Sequence, residues 1–184
     1  ELKKQIESDI THGLHPFMVI ASAGTTDTGA IDPLEEIGKI AAIHDLWYHI
    51  DAAYGGFFIL SDLKKERFTG IERSDSLVVD PHKGLFLPYG IGAVLVKHKR
   101  AVFHSHHQTA HYMQDALTED SPINPADVSP ELTKHFRGMR MWLPLQLHGL
   151  TPFIACLEEK IYLIHYSRGL LSEAGFQTGP EPDL

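Results

Sequence analysis

Three short stretches hold the residues that can do chemistry: GTTDTG (Gly24 to Gly29), HIDAAYGG (His49 to Gly56) and DPHK (Asp80 to Lys83). Each follows an apolar run, and in a parallel sheet the carboxyl ends of strands lie along one edge, where open α/β sheets form their ligand crevices. Thr26, Asp51 and Lys83 can therefore converge although they are far apart in sequence. A strand-terminal lysine offers an amine that condenses with an aldehyde, and an aspartate from a neighbouring strand favours the charged form of a ring nitrogen. Pyridoxal phosphate enzymes use such a pair: the amine forms a Schiff base, and the aspartate keeps the pyridine protonated so that the ring withdraws electrons. Ala52 and Ala53 beside Asp51 are small enough to let a flat ring lie against the strand. Taken singly, each residue has a plainer use. A lysine after a strand is usually solvated, an aspartate before Ala-Ala can cap a helix, and Thr25 and Thr26 between glycines can be turn formers.

The elements that must position these groups follow from periodicity. Leu2, Ile6 and Ile10 recur every fourth residue, predicting a helix from Leu2 to His12 closed by Gly13. PFMVIASAG (Pro16 to Gly24) is apolar, partly β-branched and of strand length. Asp32 and Pro33 offer an N-cap and a first-turn proline to a helix through Leu34, Ile37, Ile40, Ala41 and His44. A second strand is WYHID (Trp47 to Asp51). Strand, helix and strand within about 35 residues make a parallel βαβ unit with its right-handed crossover. A helical or irregular stretch around Leu60 to Thr69 leads to a third strand, SLVVD (Ser76 to Asp80), and IGAVLVK (Ile91 to Lys97) makes a fourth. Continuous apolar strands separated by helices predict a sheet covered on both faces. The stretch from Ala101 to Pro130 is polar, His-rich and without sustained periodicity, a length of connection that is usually functional or mobile. Two helices follow, roughly Glu131 to Gly149 and Pro152 to Ala174.

The bulk composition narrows the class. At 184 residues, 43% hydrophobic and 22% charged, the chain can bury a core of its own. A formal net charge of -8 without a basic run longer than HKR (His98 to Arg100) argues against nucleic-acid binding. No apolar stretch approaches the roughly 20 residues that span a bilayer, and no signal-like segment opens the sequence, so a cytoplasmic protein without a membrane partner is expected. The single cysteine, Cys156, excludes an internal disulfide and is expected to be buried filler in a helix. The opening at Glu1 and the halt at GPEPDL predict a piece of a longer protein.

Together these residues match a family. PFMVIASAGTTDTGAIDPLEEIGKIAAIHDLWYHIDAAYGG followed by SLVVDPHKGLFLPYG resembles the pyridoxal-phosphate-dependent group II decarboxylases, which act on aromatic amino acids, histidine and glutamate. The similarity runs from LKKQIESD to the helices after FRGMRMW. It implies an α/β fold of the aspartate aminotransferase type (fold type I), a mostly parallel sheet covered by helices. Residues 1–150 would be the latter part of the cofactor-binding large domain, with a mobile loop at about 101–130, and 151–184 would lead into a truncated C-terminal small domain. The implied cofactor is pyridoxal 5′-phosphate, in a Schiff base with Lys83. His82 would lie close to cofactor or substrate, Asp51 would bind the pyridine nitrogen, Ala53 would pack on the ring, and Thr26 would contact its polar groups. Tyr112 would belong to the catalytic loop that reaches into the partner subunit's site of a homodimer and helps protonate the product. The implied reaction is decarboxylation of an L-amino acid, with an aromatic one as the first expectation.

Two departures accompany the resemblance. The family commonly has Asn where Asp80 stands, near the cofactor phosphate, and a carboxylate there repels a dianion unless it is turned away or otherwise paired. Gly84 stands after the lysine where animal aromatic decarboxylases usually carry Trp, which weakens assignment of the substrate by nearest relative. The phosphate loop and the group stacked on the ring lie upstream of Glu1 in the family, so this piece alone is expected to be inactive. Three rival readings remain. One is another reaction of the same fold, transamination or carbon-carbon lysis. A second is a truncated, non-catalytic relative. The third is a metal site of His104, His106, His107 and His111, which no acidic partner or regular helical spacing organises, so no metal is expected.

Overall fold

The computed structural model describes residues 1–106, 128–131 and 133–184. Glu1–Leu95 and Arg137–Leu184 together form one compact unit, and Val96–Phe136 a second.

The first unit opens with helix α1 (Leu2–Thr11), which buries Ile6, and continues into strand β1 (Met18–Ser22). Helix α2 (Leu34–Ile43) crosses to β2 (Trp47–Asp51), completing the βαβ unit. Asp32 does not cap this helix. Its carboxylate accepts the backbone N–H of Ser22 at 2.7 Å, so it ties the loop back to β1 and leaves Pro33 at the cap position. Three short 3-10 turns, Gly56–Leu60, Lys65–Phe68 and Ile71–Arg73, fill the stretch expected to be helical or irregular. They lead to β3 (Ser76–Val79), the short helix α3 (Pro81–Gly84) and β4 (Ala93–Val96).

The strands lie in sequence order, and β1, β2 and β3 are mutually parallel. Ser22 pairs with Asp51 and Asp51 with Val78, so these three strand ends are level. The core beneath them joins Val19, Ala21, Ile50 and Ala52 to Leu34, Ala41, Phe58, Phe68 and, from the helix Thr151–Glu173, Leu157 and Ile161. Tyr48 is buried in it with its hydroxyl donating to the Leu34 carbonyl at 2.9 Å. Burial, with the charge of Asp32 adding, pushes that phenol up to about 12. The alternation along β1 is one-sided: Val19 and Ala21 are buried, whereas Met18 and Ile20 are exposed.

Helices α5 (Gly138–His148) and α6 (Thr151–Glu173) close the unit. Helix α5 begins seven residues later than the apolar spacing predicts. Cys156 is exposed, contrary to expectation. The reason is helical phase: α6 buries Leu157 and Ile161, four residues apart on one face, and Cys156 is turned about 100° away from Leu157. The last residues return to the sheet. Asp183 accepts the Ile31 N–H at 2.9 Å and pairs with Arg67, and Leu184 is buried beside Gly24 and Gly55.

In the second unit, α4 (Lys99–His106) carries His104 and His106. His107, His111 and Tyr112 lie outside the described residues, and so do the expectations placed on them. Among the described residues no helix is long and apolar enough to cross a membrane.

Candidate active site

The site is built where β1, β2 and β3 end. Pairing of β2 with its neighbours continues past the strands proper: Ala23 N–H donates to the Asp51 carbonyl at 2.8 Å, Ala52 N–H to Val78 at 3.1 Å, and Asp80 N–H to Ala53 at 3.2 Å. Asp51 therefore stands between the loop that follows β1 and the turn that follows β3. Its side chain is exposed at the edge, and Oδ1 accepts the Ala53 N–H at 3.1 Å, which fixes its direction. Adjacent parallel strands run roughly 4.8 Å apart, so groups rising from neighbouring ends share one small crevice.

The turn that carries Lys83 is held from three sides. Pro81 begins α3 with its φ already suited to a helix, and the Asp80 carbonyl accepts the N–H groups of Lys83 at 2.9 Å and Gly84 at 3.2 Å. Beyond it Phe86 has φ 56°, a left-handed conformation costly for a residue with a side chain. A second apolar cluster makes that conformation tolerable: Leu85, Leu87 and Ile91 are buried against Phe57, Met141, Leu145 and Phe153. Gly84 fits tightly here, since a Cβ would fall 2.8 Å from the Phe57 side chain. Bulk at this position is excluded by packing.

Lys83 itself is partly open, with 37% of its side chain exposed, and its Nζ lies 3.0 Å from Asp80 Oδ2. The other carboxylate oxygen of Asp80 rests against Gly92, where an added Cβ would come within 3.0 Å. His82 is oriented by a 2.6 Å hydrogen bond between Nδ1 and the Ile91 carbonyl, an acceptor only, so Nδ1 carries a proton. The Tyr89 ring meets the imidazole edge to face at 5.0 Å.

The loop after β1 supplies neutral groups. Thr25 is spent on structure: its Oγ1 accepts the Ala30 N–H at 3.1 Å and bonds Thr28 Oγ1 at 2.8 Å, while its carbonyl accepts the Gly29 N–H at 2.9 Å. Thr26 is the exposed member of the pair. Gly24, at φ 93°, and Gly55 touch backbone to backbone, a methyl on Gly24 reaching 2.7 Å from the Gly55 Cα. The two strand-end loops therefore lie backbone to backbone, with the Leu184 side chain packed against both glycines.

The structure thus brings Thr26, Asp51, Ala53, Asp80, His82 and Lys83 to one edge of the sheet. Sequence reasoning did not single out Gly55, Gly92, Tyr89 or the Ile91 carbonyl, whose contacts are visible only in three dimensions; the Gly-Gly pair after Tyr54 was the one available signal. A separate cavity of about 540 Å³ lies between α6, Thr28, Ala30 and the C-terminal residues, and neither Asp51 nor Lys83 lines it.

An amine reachable by an aldehyde, a carboxylate on the neighbouring strand end and the small Ala53 beside it fit a flat, aldehyde-bearing ring. Comparison with known proteins gives the same chemistry a family. The conserved domain described as pyridoxal-dependent decarboxylase matches residues 1–176. The aromatic-L-amino-acid decarboxylase of Bacillus atrophaeus is 37% identical over 174 residues, covering 94% of this chain and 36% of that protein. The L-2,4-diaminobutyrate decarboxylase of Acinetobacter baumannii is 39% identical over 132 residues, 71% of this chain and 26% of its own. Among solved structures, mouse CSAD superposes with a TM-score of 0.87 at 28% identity, over 100% of this chain and 38% of that one. The chain therefore spans about a third of the length of these relatives. It belongs to the pyridoxal-dependent decarboxylase family, whose cofactor is pyridoxal phosphate, and its α/β architecture is the fold of that family.

Proposed function

We propose that the protein containing this chain is a pyridoxal-phosphate-dependent carboxy-lyase that converts an L-amino acid, first of all an aromatic one, to the amine and carbon dioxide. The observation that carries this reading is the register Ser22–Asp51–Val78, which levels the strand ends from which Asp51 and Lys83 rise. Residues 1–150 would belong to the cofactor-binding large domain and 151–184 would lead to the small domain.

Lys83 would hold the cofactor covalently, Asp51 would accept a hydrogen bond from the pyridine nitrogen and keep its proton there, Ala53 would support the ring, and Thr26 would donate to its polar substituents. When bound, the cofactor supplies an electron sink for the pair released when carbon dioxide leaves. The protein's share is to orient the substrate so that the carboxylate bond lies across the ring plane, and to deliver a proton afterwards. His82, fixed through Nδ1, would lie close to cofactor or substrate as a positioning group. Tyr112 is the proposed proton donor, contributed across the interface of a homodimer. The proposed location is the cytoplasm.

The aromatic preference rests on the first relative named above, and the diaminobutyrate enzyme is the specific reason to test another class. Incubation of the full-length protein and pyridoxal phosphate with tyrosine, tryptophan, histidine, glutamate and 2,4-diaminobutyrate should yield carbon dioxide and the amine from an aromatic substrate. Release of a keto acid instead would make the protein an aminotransferase. Decarboxylation of glutamate or diaminobutyrate alone would keep the reaction and correct the substrate.

A further inference from the structure

Asp80 stands at the position of a family Asn, and its surroundings give it a use that an amide cannot fulfil. One oxygen is 3.0 Å from Lys83 Nζ and the other rests against Gly92, the residue whose missing side chain leaves room for it. Its backbone is fixed as well, because the N–H is bonded to Ala53 and the carbonyl caps α3. The carboxylate is 17% exposed, against 37% for the lysine, so the pair has a sheltered side and an open side. An amine must lose a proton before it can attack an aldehyde, and the Asp80 carboxylate lies 3.0 Å from the Lys83 amine.

We propose that Asp80 is the proton partner of Lys83 in cofactor capture and the counter-ion of the bond that results. The inference rests on the proposed covalent role of Lys83. The Lys83 ammonium gives one proton to Asp80, and the freed nitrogen pair forms a bond to the aldehyde carbon while the carbonyl π pair moves to oxygen. A proton moves from the new ammonium nitrogen to that oxygen. Asp80 then returns its proton to the hydroxyl, which departs as water as the nitrogen pair closes the C=N bond. The products are a protonated imine, one water and an Asp80 carboxylate again, so charge and protons balance. The carboxylate is left beside a cationic nitrogen, an arrangement that favours the protonated imine. This also accounts for a carboxylate near a phosphate-binding region: its charge is paired with Lys83. The other ionisable groups around this edge include Asp27 from the loop after β1, Asp51 from the end of β2, His82 within α3, Tyr89 beyond it and, from α6, Lys160, whose Nζ lies 4.2 Å from the centre of the Phe86 ring. From α5, Arg140 donates to the Tyr89 carbonyl at 3.3 Å.

The test uses full-length protein freed of cofactor, mixed with pyridoxal phosphate and followed by the visible imine band and by borohydride trapping. Asp80→Asn should slow capture roughly 10- to 100-fold near neutral pH. It should also lower the pH at which the band of the protonated form is lost by about 1 unit or more. Affinity for pyridoxamine phosphate, which has no aldehyde, should stay within about twofold. Gly92→Ala keeps the charge but crowds Oδ1, and should give a smaller slowing in the same direction. Wild-type capture and an unmoved band in Asp80→Asn would overturn the proposal. So would a parallel loss of pyridoxamine phosphate affinity, which would make Asp80 a structural residue. Absence of the band in the wild-type protein would instead overturn the role of Lys83 itself.

Discussion

The loop after β1 and the turn after β3 leave the same edge of the sheet but are fixed by different means. Gly24 to Ala30 closes on itself through neutral hydrogen bonds of Thr25, and its approach to Gly55 depends on two residues without side chains. Asp80 to Ile91 is held by a helix cap, a left-handed Phe86, an apolar cluster and one ion pair. Order in the first loop is therefore a matter of backbone shape. The second has a packed foundation that leaves its charged groups available for chemistry, so changes of equal size in the two should separate stability from function.

The largest effect tests the turn after β3. Lys83→Ala should abolish the borohydride-sensitive visible band and all product, because Lys83 is the one lysine of the described turn from Asp80 to Ile91. Its cost in stability should stay under about 1 kcal/mol, since the Asp80–Lys83 pair is partly exposed and the turn keeps its cap and apolar anchor. Thermal unfolding measured beside the spectrum checks both parts. A Lys83→Ala protein that melted well below the wild type would mean that the ion pair, not the apolar cluster, holds the turn.

Gly55→Ala makes the opposite demand. A methyl there would lie 2.3 Å from the Ala23 carbonyl oxygen and 2.7 Å from the Gly24 Cα, so two backbones must part. Overpacking of this kind costs about 1–3 kcal/mol, and at roughly 2–4 °C per kcal/mol the melting temperature should fall by several degrees. Any fall in cofactor affinity should follow from the displaced loop, with the visible band of the captured form unchanged in shape. Unaltered stability would show that the close approach of the two loops is not needed for folding.

The two regions also differ in how far the sequence discloses them. Beta-branched runs ending in polar residues place β1, β2 and β3 to within two residues, and the α2 periodicity ends one residue from its observed limit. The family motifs name Lys83 and Asp51 at the strand ends. What escapes is pairing at a distance. Asp32 has the spacing of an N-cap, yet its carboxylate is drawn to Ser22 by the return of the chain alongside β1. Cys156 sits in an apolar helix, but burial is decided by which face meets the sheet. Asp80 and Lys83 stand three apart, a spacing at which helical side chains meet; read one at a time, they suggest a repelled anion and an isolated amine. The packing of Gly55 on Gly24 joins residues 31 positions apart, which local spacing does not register.

The smallest effect divides the two threonines of one loop. Thr25→Val removes the acceptor for the Ala30 N–H and the partner of Thr28 Oγ1, and should cost about 1 kcal/mol of stability, since each bond is worth that order and water can reach part of the loop. Thr26→Val alters an exposed side chain and should leave stability within about 0.5 kcal/mol. If the Thr26 hydroxyl donates to the cofactor, its loss should weaken pyridoxal phosphate binding about tenfold, the equivalent of about 1.4 kcal/mol. Equilibrium unfolding and cofactor titration of the two variants give four numbers, and the expected pattern is crossed: stability falls in one variant, affinity in the other. Equal losses of affinity would mean that the loop acts through its shape alone, and the contrast with the charged turn after β3 would then be complete, with every chemical group of the edge coming from β2 and β3.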